Sequence, residues 1–222
     1  MDKINQELRS GVFDGDLEKV KDALDKGADV NTKDVLTGRN VLMLAADKGK
    51  KEMVELLLNE SADVNARSEG RWTVLMIAAE GGYGDIVELL IENGAEVDAE
   101  NTNGKTALMR AIERGHRNVV DLLINRGADV LQVIENELNR EHVTSTRMLV
   151  EKKGLEGVKN QMQEAIKQEK DPVKKLEMKI KYGKLYRKIV SMMRKETKLE
   201  DVKTVKLPRD DIRKFRIRRI VN

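Results

Sequence analysis

Gly27-Ala28-Asp29-Val30-Asn31 returns as Ser61-Ala62-Asp63-Val64-Asn65, as Gly94-Ala95-Glu96-Val97-Asp98 and as Gly127-Ala128-Asp129-Val130. The alanines are 34, 33 and 33 residues apart. A period of this size means one supersecondary unit repeated along the chain, each unit covering its neighbour's apolar face. Two further blocks keep the same register. One is Asn40–Ala46, Thr73–Ala79 and Thr106–Ile112; the other is Gly49, Gly82 and Gly115, each followed by an apolar stretch such as Ile86–Ile91.

Each block has a physical reading. Leu42, Ala45 and Ala46 lie at i, i+3 and i+4, one face of a short helix. Gly49 ends it, and Met53, Val54, Leu56, Leu57 and Leu58 give a second helix a broad apolar stripe. Glycine at 27, 94 and 127 suits the left-handed residue that closes a helix, and Ser61 takes that place once, at a cost. The polar stretches between units, such as Asn65–Arg71 and Asp98–Lys105, are predicted to be extended turn fingers.

Three blocks in register at about 33 residues resemble the ankyrin repeat. The resemblance covers residues 1–154 and implies an all-α solenoid of helix-turn-helix units with β-turn fingers: four repeats and a degenerate, capping fifth. The first unit keeps Leu8, Val12, Val20, Ala23 and Leu24 but has Lys19 at a place apolar in later units, as a solvated N-terminal face requires. After Val130, two predicted helices, Leu131–Leu138 and His142–Lys153, run without a finger. The family's usual Thr-Pro-Leu-His opening is altered: Val or Ala replaces Pro, and Met43, Met76 and Met109 replace His. Those methionines read as packing between repeats, or alternatively as a docking stripe.

The family resemblance implies that partners bind at finger tips and at the ends of first helices. Those positions are Arg39, Asp47 and Lys48, then Arg71, Trp72 and Glu80, then Thr102, Asn103, Lys105, Glu113 and Arg114. Trp72 is the single tryptophan, either an interface anchor beside Arg71 or a ring lying flat on the neighbouring finger. His116 reads as structural, and His142 has no second ligand at metal spacing.

The net charge of +3 conceals a division. Residues 1–154 hold 21 Lys+Arg against 29 Asp+Glu, whereas residues 155–222 hold 21 against 10. The second segment, predicted as a separate basic domain, splits into a helical hairpin (155–196) and a tail (197–222). Asp171-Pro172 offers a cap followed by proline at the first helical position, and Met178, Tyr182, Leu185, Ile189 and Met192 follow at heptad-like steps. In the tail, Arg213, Lys214, Arg216, Arg218 and Arg219 alternate with apolar residues. They could meet RNA or DNA phosphates, an anionic membrane surface or the chain's own acidic repeats through residues 203–222, or simply be solvated.

Composition excludes several classes. With no cysteine there is no disulfide framework, no Cys-based zinc site and no thiol nucleophile. The longest apolar run, Val41–Ala46, is too short to span a membrane, and no signal peptide is visible. No phosphate loop, nucleophile elbow or metal-ligand spacing appears, so neither an enzyme nor a bound metal or cofactor is expected. The predicted function is an intracellular, most simply cytoplasmic, protein-interaction scaffold or adaptor. Its alternative is nucleic-acid association through the basic C-terminal segment.

Overall fold

The computed structural model describes residues 3–139 and 143–196. The tail residues Arg213, Lys214, Arg216, Arg218 and Arg219, and also His142, lie outside them. Twelve helices fill the described residues, with one isolated antiparallel bridge, Lys33 to Asn40. The helices are α1 (Lys3–Asp14), α2 (Leu17–Asp25), α3 (Val41–Asp47), α4 (Lys51–Asn59), α5 (Val74–Gly81), α6 (Gly84–Glu92), α7 (Ala107–Arg114), α8 (Arg117–Asn125), α9 (Val130–Asn139), α10 (Val143–Lys153), α11 (Leu155–Gln168) and α12 (Pro172–Glu196). Two compact units divide between Met162 and Gln163, inside α11; the predicted division at Gly154 falls just before α11.

In the first unit the odd-numbered helices α1, α3, α5 and α7 stack on one another, and each pairs with the helix that follows it. The alanines explain the close approach: Ala45, Ala46, Ala78, Ala79 and Ala111 are all buried. Met43, Met76 and Met109 are buried as well, so the methionine column is packing and offers no docking stripe. Lys19 is half-buried where Met53, Ile86 and Val119 are buried in later units; its ammonium reaches Ser10 Oγ at 2.9 Å and Asp14 Oδ2 at 3.3 Å.

Helix starts use the block-opening residue. The side-chain oxygens of Asn40, Thr73 and Thr106 accept from the backbone N–H of Met43, Met76 and Met109 at 2.9, 3.3 and 3.3 Å. The first residue of each opening, asparagine at 40 and threonine at 73 and 106, therefore caps its own helix. Asn40 leaves its buried Nδ2 without a hydrogen-bond partner, a cost that threonine avoids. At the other end of the unit, Ser61 does adopt the left-handed conformation, with φ of +66°.

One side chain per unit locks the register between repeats. Asn5, Asn31, Asn65 and Asp98 each use Oδ1 to accept the backbone N–H of Asp29, Asp63, Glu96 and Asp129, at 2.8–2.9 Å. The asparagines can also donate: Asn65 Nδ2 bonds Gly94 O at 3.0 Å, and Asn31 Nδ2 bonds Ser61 O at 3.5 Å. Asp98 has no such proton. Burial raises its pKa, the Asp129 N–H lowers it, and the Asp129 carboxylate raises it again, for a net upward shift.

In the second unit and the helix leading into it, Val158, Met162, Leu185, Tyr186 and Ile189 are buried. Asp171 Oδ1 caps α12 by accepting from Val173 N and Lys174 N at 2.8 and 3.1 Å, as the Asp-Pro pair predicts.

Replacing Asp98 by Asn supplies the missing donor toward the Gly127 carbonyl and removes the repulsion. Asp98→Asn is expected to stabilise the protein by about 1 kcal/mol, or roughly 2–4 °C in Tm for a chain of this size. Because the carboxyl pKa is raised in the fold, the wild type carries its penalty above that pKa and loses it as pH falls through the carboxylate range. Thermal melts at pH 7 and pH 3.5 check this: the gain should be present at the first and shrink at the second.

Candidate recognition face

Fingers and inner helices build this face together. Each finger closes on itself through a backbone bond: Asp34 N to Arg39 O at 2.8 Å, Ser68 N to Trp72 O at 3.1 Å and Asn101 N to Lys105 O at 3.1 Å. Each is also bonded to its neighbour, Glu69 N to Thr37 O and Thr102 N to Gly70 O, both at 3.1 Å. The three tips therefore form one continuous edge. A Cβ on Gly38 would come within 2.9 Å of the Glu69 backbone N, so the close approach depends on glycine there.

Gly38 and Gly104 have φ of +64° and +66°, and the equivalent place in the middle finger is held by Arg71 at +56°. An L-residue in this conformation costs of order 1–2 kcal/mol. The middle finger thus carries an exposed, positively charged side chain at a position where glycine would be more stable.

Beneath the tips, charges are organised by repeat. Arg39 faces Asp47 at 3.9 Å, and Lys105 pairs with Glu113. Between them Trp72 occupies the corresponding finger base, and its cation comes from the next repeat. The Arg110 guanidinium lies over the indole at 4.2 Å from the ring centre. It also pairs with Glu80 Oε2 at 3.3 Å and Glu113 Oε2 at 2.7 Å. Arg114 Nε donates to Glu80 Oε1 at 2.9 Å, and His116 Nε2 donates to the Glu80 carbonyl at 2.9 Å. Burial pushes the Glu113 carboxyl up, but bonds from Lys105 and Arg110 outweigh it and the net shift is downward. The Glu80 hydrogen bond and charge raise Arg114 further.

The family profile "Ankyrin repeats (3 copies)" matches residues 9–101 and 71–134. The chain belongs to the ankyrin repeat family. Among curated relatives, it is 41% identical over 59 residues to serine/threonine-protein kinase 12 of Arabidopsis thaliana, and 43% identical over 63 residues to the ankyrin repeat and KH domain-containing protein mask of Drosophila melanogaster. These matches cover 27% and 28% of this chain, but only 12% and 2% of those proteins. The activities in their names remain those proteins' own. No helix among the described residues is long and apolar enough to cross a membrane.

The residues that the ankyrin pattern points to fall into two groups. Asp47, Lys48, Arg71, Thr102, Asn103, Glu113 and Arg114 are exposed, while Arg39, Trp72 and Glu80 are half-buried. Lys105, predicted at the rim, is buried, its ammonium drawn inward by Glu113. Trp72 is covered by an arginine of the following inner helix, an arrangement distinct from a ring lying flat on a neighbouring finger. Sequence reading missed Arg110 as the organising cation, and it missed three exposed apolar side chains: Phe13 (59%), Val35 (83%) and Leu36 (88%). Lys48 Nζ sits 4.4 Å from the Phe13 ring centre. Val35 and Leu36 stand on a finger braced by Asp34, whose carboxylate accepts from Leu36 N, Thr37 N and Thr37 Oγ1 at 2.9–3.1 Å and pairs with Arg9 at 2.9 Å.

Because Trp72 is the sole tryptophan, its emission reports this face directly. Arg110→Ala is expected to shift that emission to the red, increase acrylamide quenching and cost about 1–2 kcal/mol through the lost stacking and charge-assisted bonds. An unchanged spectrum would mean the guanidinium does not cover the ring.

Proposed function

We propose that this ankyrin chain is a non-catalytic protein-recognition scaffold that binds its partner along the finger edge and the adjoining ends of the inner helices. The observation that carries this reading is the middle finger, where Arg71 is kept in a left-handed conformation beside a half-buried Trp72. Backbone strain of this kind is retained where the surrounding structure holds it, and it gathers at functional positions. Mutual hydrogen bonding of the fingers supports the same reading, because ordering is completed before the partner arrives and less entropy is lost on association. Arg39, Asp47, Lys48, Arg71, Trp72, Glu80, Thr102, Asn103, Glu113 and Arg114 make up the proposed face, with Lys105 bracing it from below.

A second reading, nucleic-acid association through the basic C-terminal segment, is favoured by one observation. Helix α12 carries nine Lys+Arg against two Glu over Pro172–Glu196, most of its described cations exposed. Such a surface attracts phosphates without sequence preference. Docking of residues 203–222 on the acidic repeats remains a proposal of the same electrostatic kind.

One experiment separates these readings. Full-length protein is used to capture a partner from native extract, with and without nuclease, and the complex is footprinted by hydrogen exchange. The expected result is nuclease-resistant capture with added protection at 34–39, 68–72 and 101–105. Protection confined to α12 and lost on nuclease treatment would replace the first reading by the second.

A further inference from the structure

The repeat array is acidic, yet the proposed face is not. Arg39, Lys48, Arg71, Lys105, Arg110 and Arg114 stand there against Asp47, Glu69, Glu80 and Glu113. The remainder of residues 1–154 then holds fifteen cations against twenty-five acids. The acidity has been placed elsewhere, and the face keeps an excess of positive charge. Most of that charge is internally matched: Arg39 by Asp47, and Lys105 and Arg110 by Glu113 and Glu80. The outward-facing surplus is carried by Arg71, by Arg114, which shares Glu80 with Arg110 and stays 57% exposed, and by Lys48 on the Phe13 ring.

The same edge presents apolar surface. Val35 and Leu36 project from the first finger, which is one residue longer than the others because the first repeat spacing is 34 rather than 33. Asp34 and Arg9 brace that finger, so the two side chains are displayed by a rigid support. The Thr37–Glu69 backbone bond joins it directly to the finger that carries Trp72.

We propose that the finger edge takes an acidic, amphipathic polypeptide segment, whose apolar side chains lie on Val35, Leu36 and the open part of Trp72 while its carboxylates meet Arg71, Arg114 and Lys48. The inference rests on the scaffold reading above and adds the chemical class of the partner. Charge complementarity supplies the sign. Alternation of apolar and charged groups supplies the polymer, since a polypeptide can match both within a few residues. A phosphate backbone fits less well: its uniform negative charge would run over Glu69 at the tip and Glu113 behind it, and it has nothing to place on Val35 and Leu36.

The test uses the full-length chain and three labelled probes followed by anisotropy and by Trp72 emission. They are the peptide Asp-Glu-Leu-Phe-Asp-Glu-Leu, its charge-reversed form Lys-Lys-Leu-Phe-Lys-Lys-Leu, and a single-stranded dT12. The acidic peptide is expected to bind at least about tenfold more tightly than either alternative and to change Trp72 emission, with affinity falling as salt screens the pairs. Arg71→Gly provides a variant whose fold is safe: glycine relieves the left-handed backbone, so stability should rise while affinity for the acidic peptide falls severalfold. Val35→Ser with Leu36→Ser should weaken the same peptide and leave the melting temperature unchanged.

Because the basic C-terminal segment also attracts anions, binding at the fingers is read from the change in Trp72 emission. Equal or tighter binding of the basic peptide or of dT12 by that readout overturns the proposal, as does a failure of the acidic peptide to change it at about 1 mM. An unaltered affinity in Arg71→Gly also overturns it. If a captured partner footprints on the fingers but is insensitive to Arg71→Gly, the scaffold reading survives and the acidic partner class does not.

Discussion

Each repeat is held in register with the next by one side-chain oxygen, from the same place in the turn at Asn31, Asn65 and Asp98 and from helix α1 at Asn5. Asn5, Asn31, Asn65 and Asp98 receive the first polar N–H of the following turn, and the geometry varies by only 0.1 Å across four interfaces. Apolar burial between inner helices supplies the driving force for stacking, but it is non-directional and tolerates sliding. Directional bonds at both the turns and the fingers remove that freedom. A shift between neighbouring repeats would break the turn bond and the finger-to-finger bond together, so finger positions follow from the stack.

Arg110 connects this scaffold to the face it displays. It begins on the inner helix of one repeat, covers the indole of the finger before it and neutralises acids on two repeats. The repeats on either side solve the same problem locally, with Arg39–Asp47 and Lys105–Glu113. Placing Trp72 at the finger base removed the local cation, and Arg110 restores it from outside. The consequence is a half-buried aromatic with fixed orientation. Such a side chain loses little freedom when a partner covers it.

The repeat boundaries, the helices and the framework roles of glycine and alanine were legible because they recur in register, and period is visible in a single sequence. Ser61 is an instance: its place in the pattern alone showed that it would adopt a left-handed turn. Side-chain partners across repeats were less legible, since Arg110, Glu80 and Trp72 are separated by intervals that match no helical spacing. Two features had signals that could have been used. Aligning the fingers on Asn40, Thr73 and Thr106 sets Arg71 in a glycine column, and the single 34-residue interval marks the finger that displays Val35 and Leu36. Burial of Lys105 had no signal, because it depends on how its aliphatic stem lies beside Glu113. The heptad-like stripe of α12 correctly located Leu185 and Ile189 among its buried residues. It passed over Val173, Leu176 and Ile180, which are exposed near the start of that helix.

The central claim is that the fingers are ordered before any partner binds. Backbone 15N relaxation of the free, full-length protein measures this at Leu36, Arg71 and Asn103. Order parameters close to those of the inner helices, about 0.85, are expected at all three tips. Values below about 0.6 at Arg71 would show a finger that is flexible until bound, and would contradict the account of a preformed recognition edge.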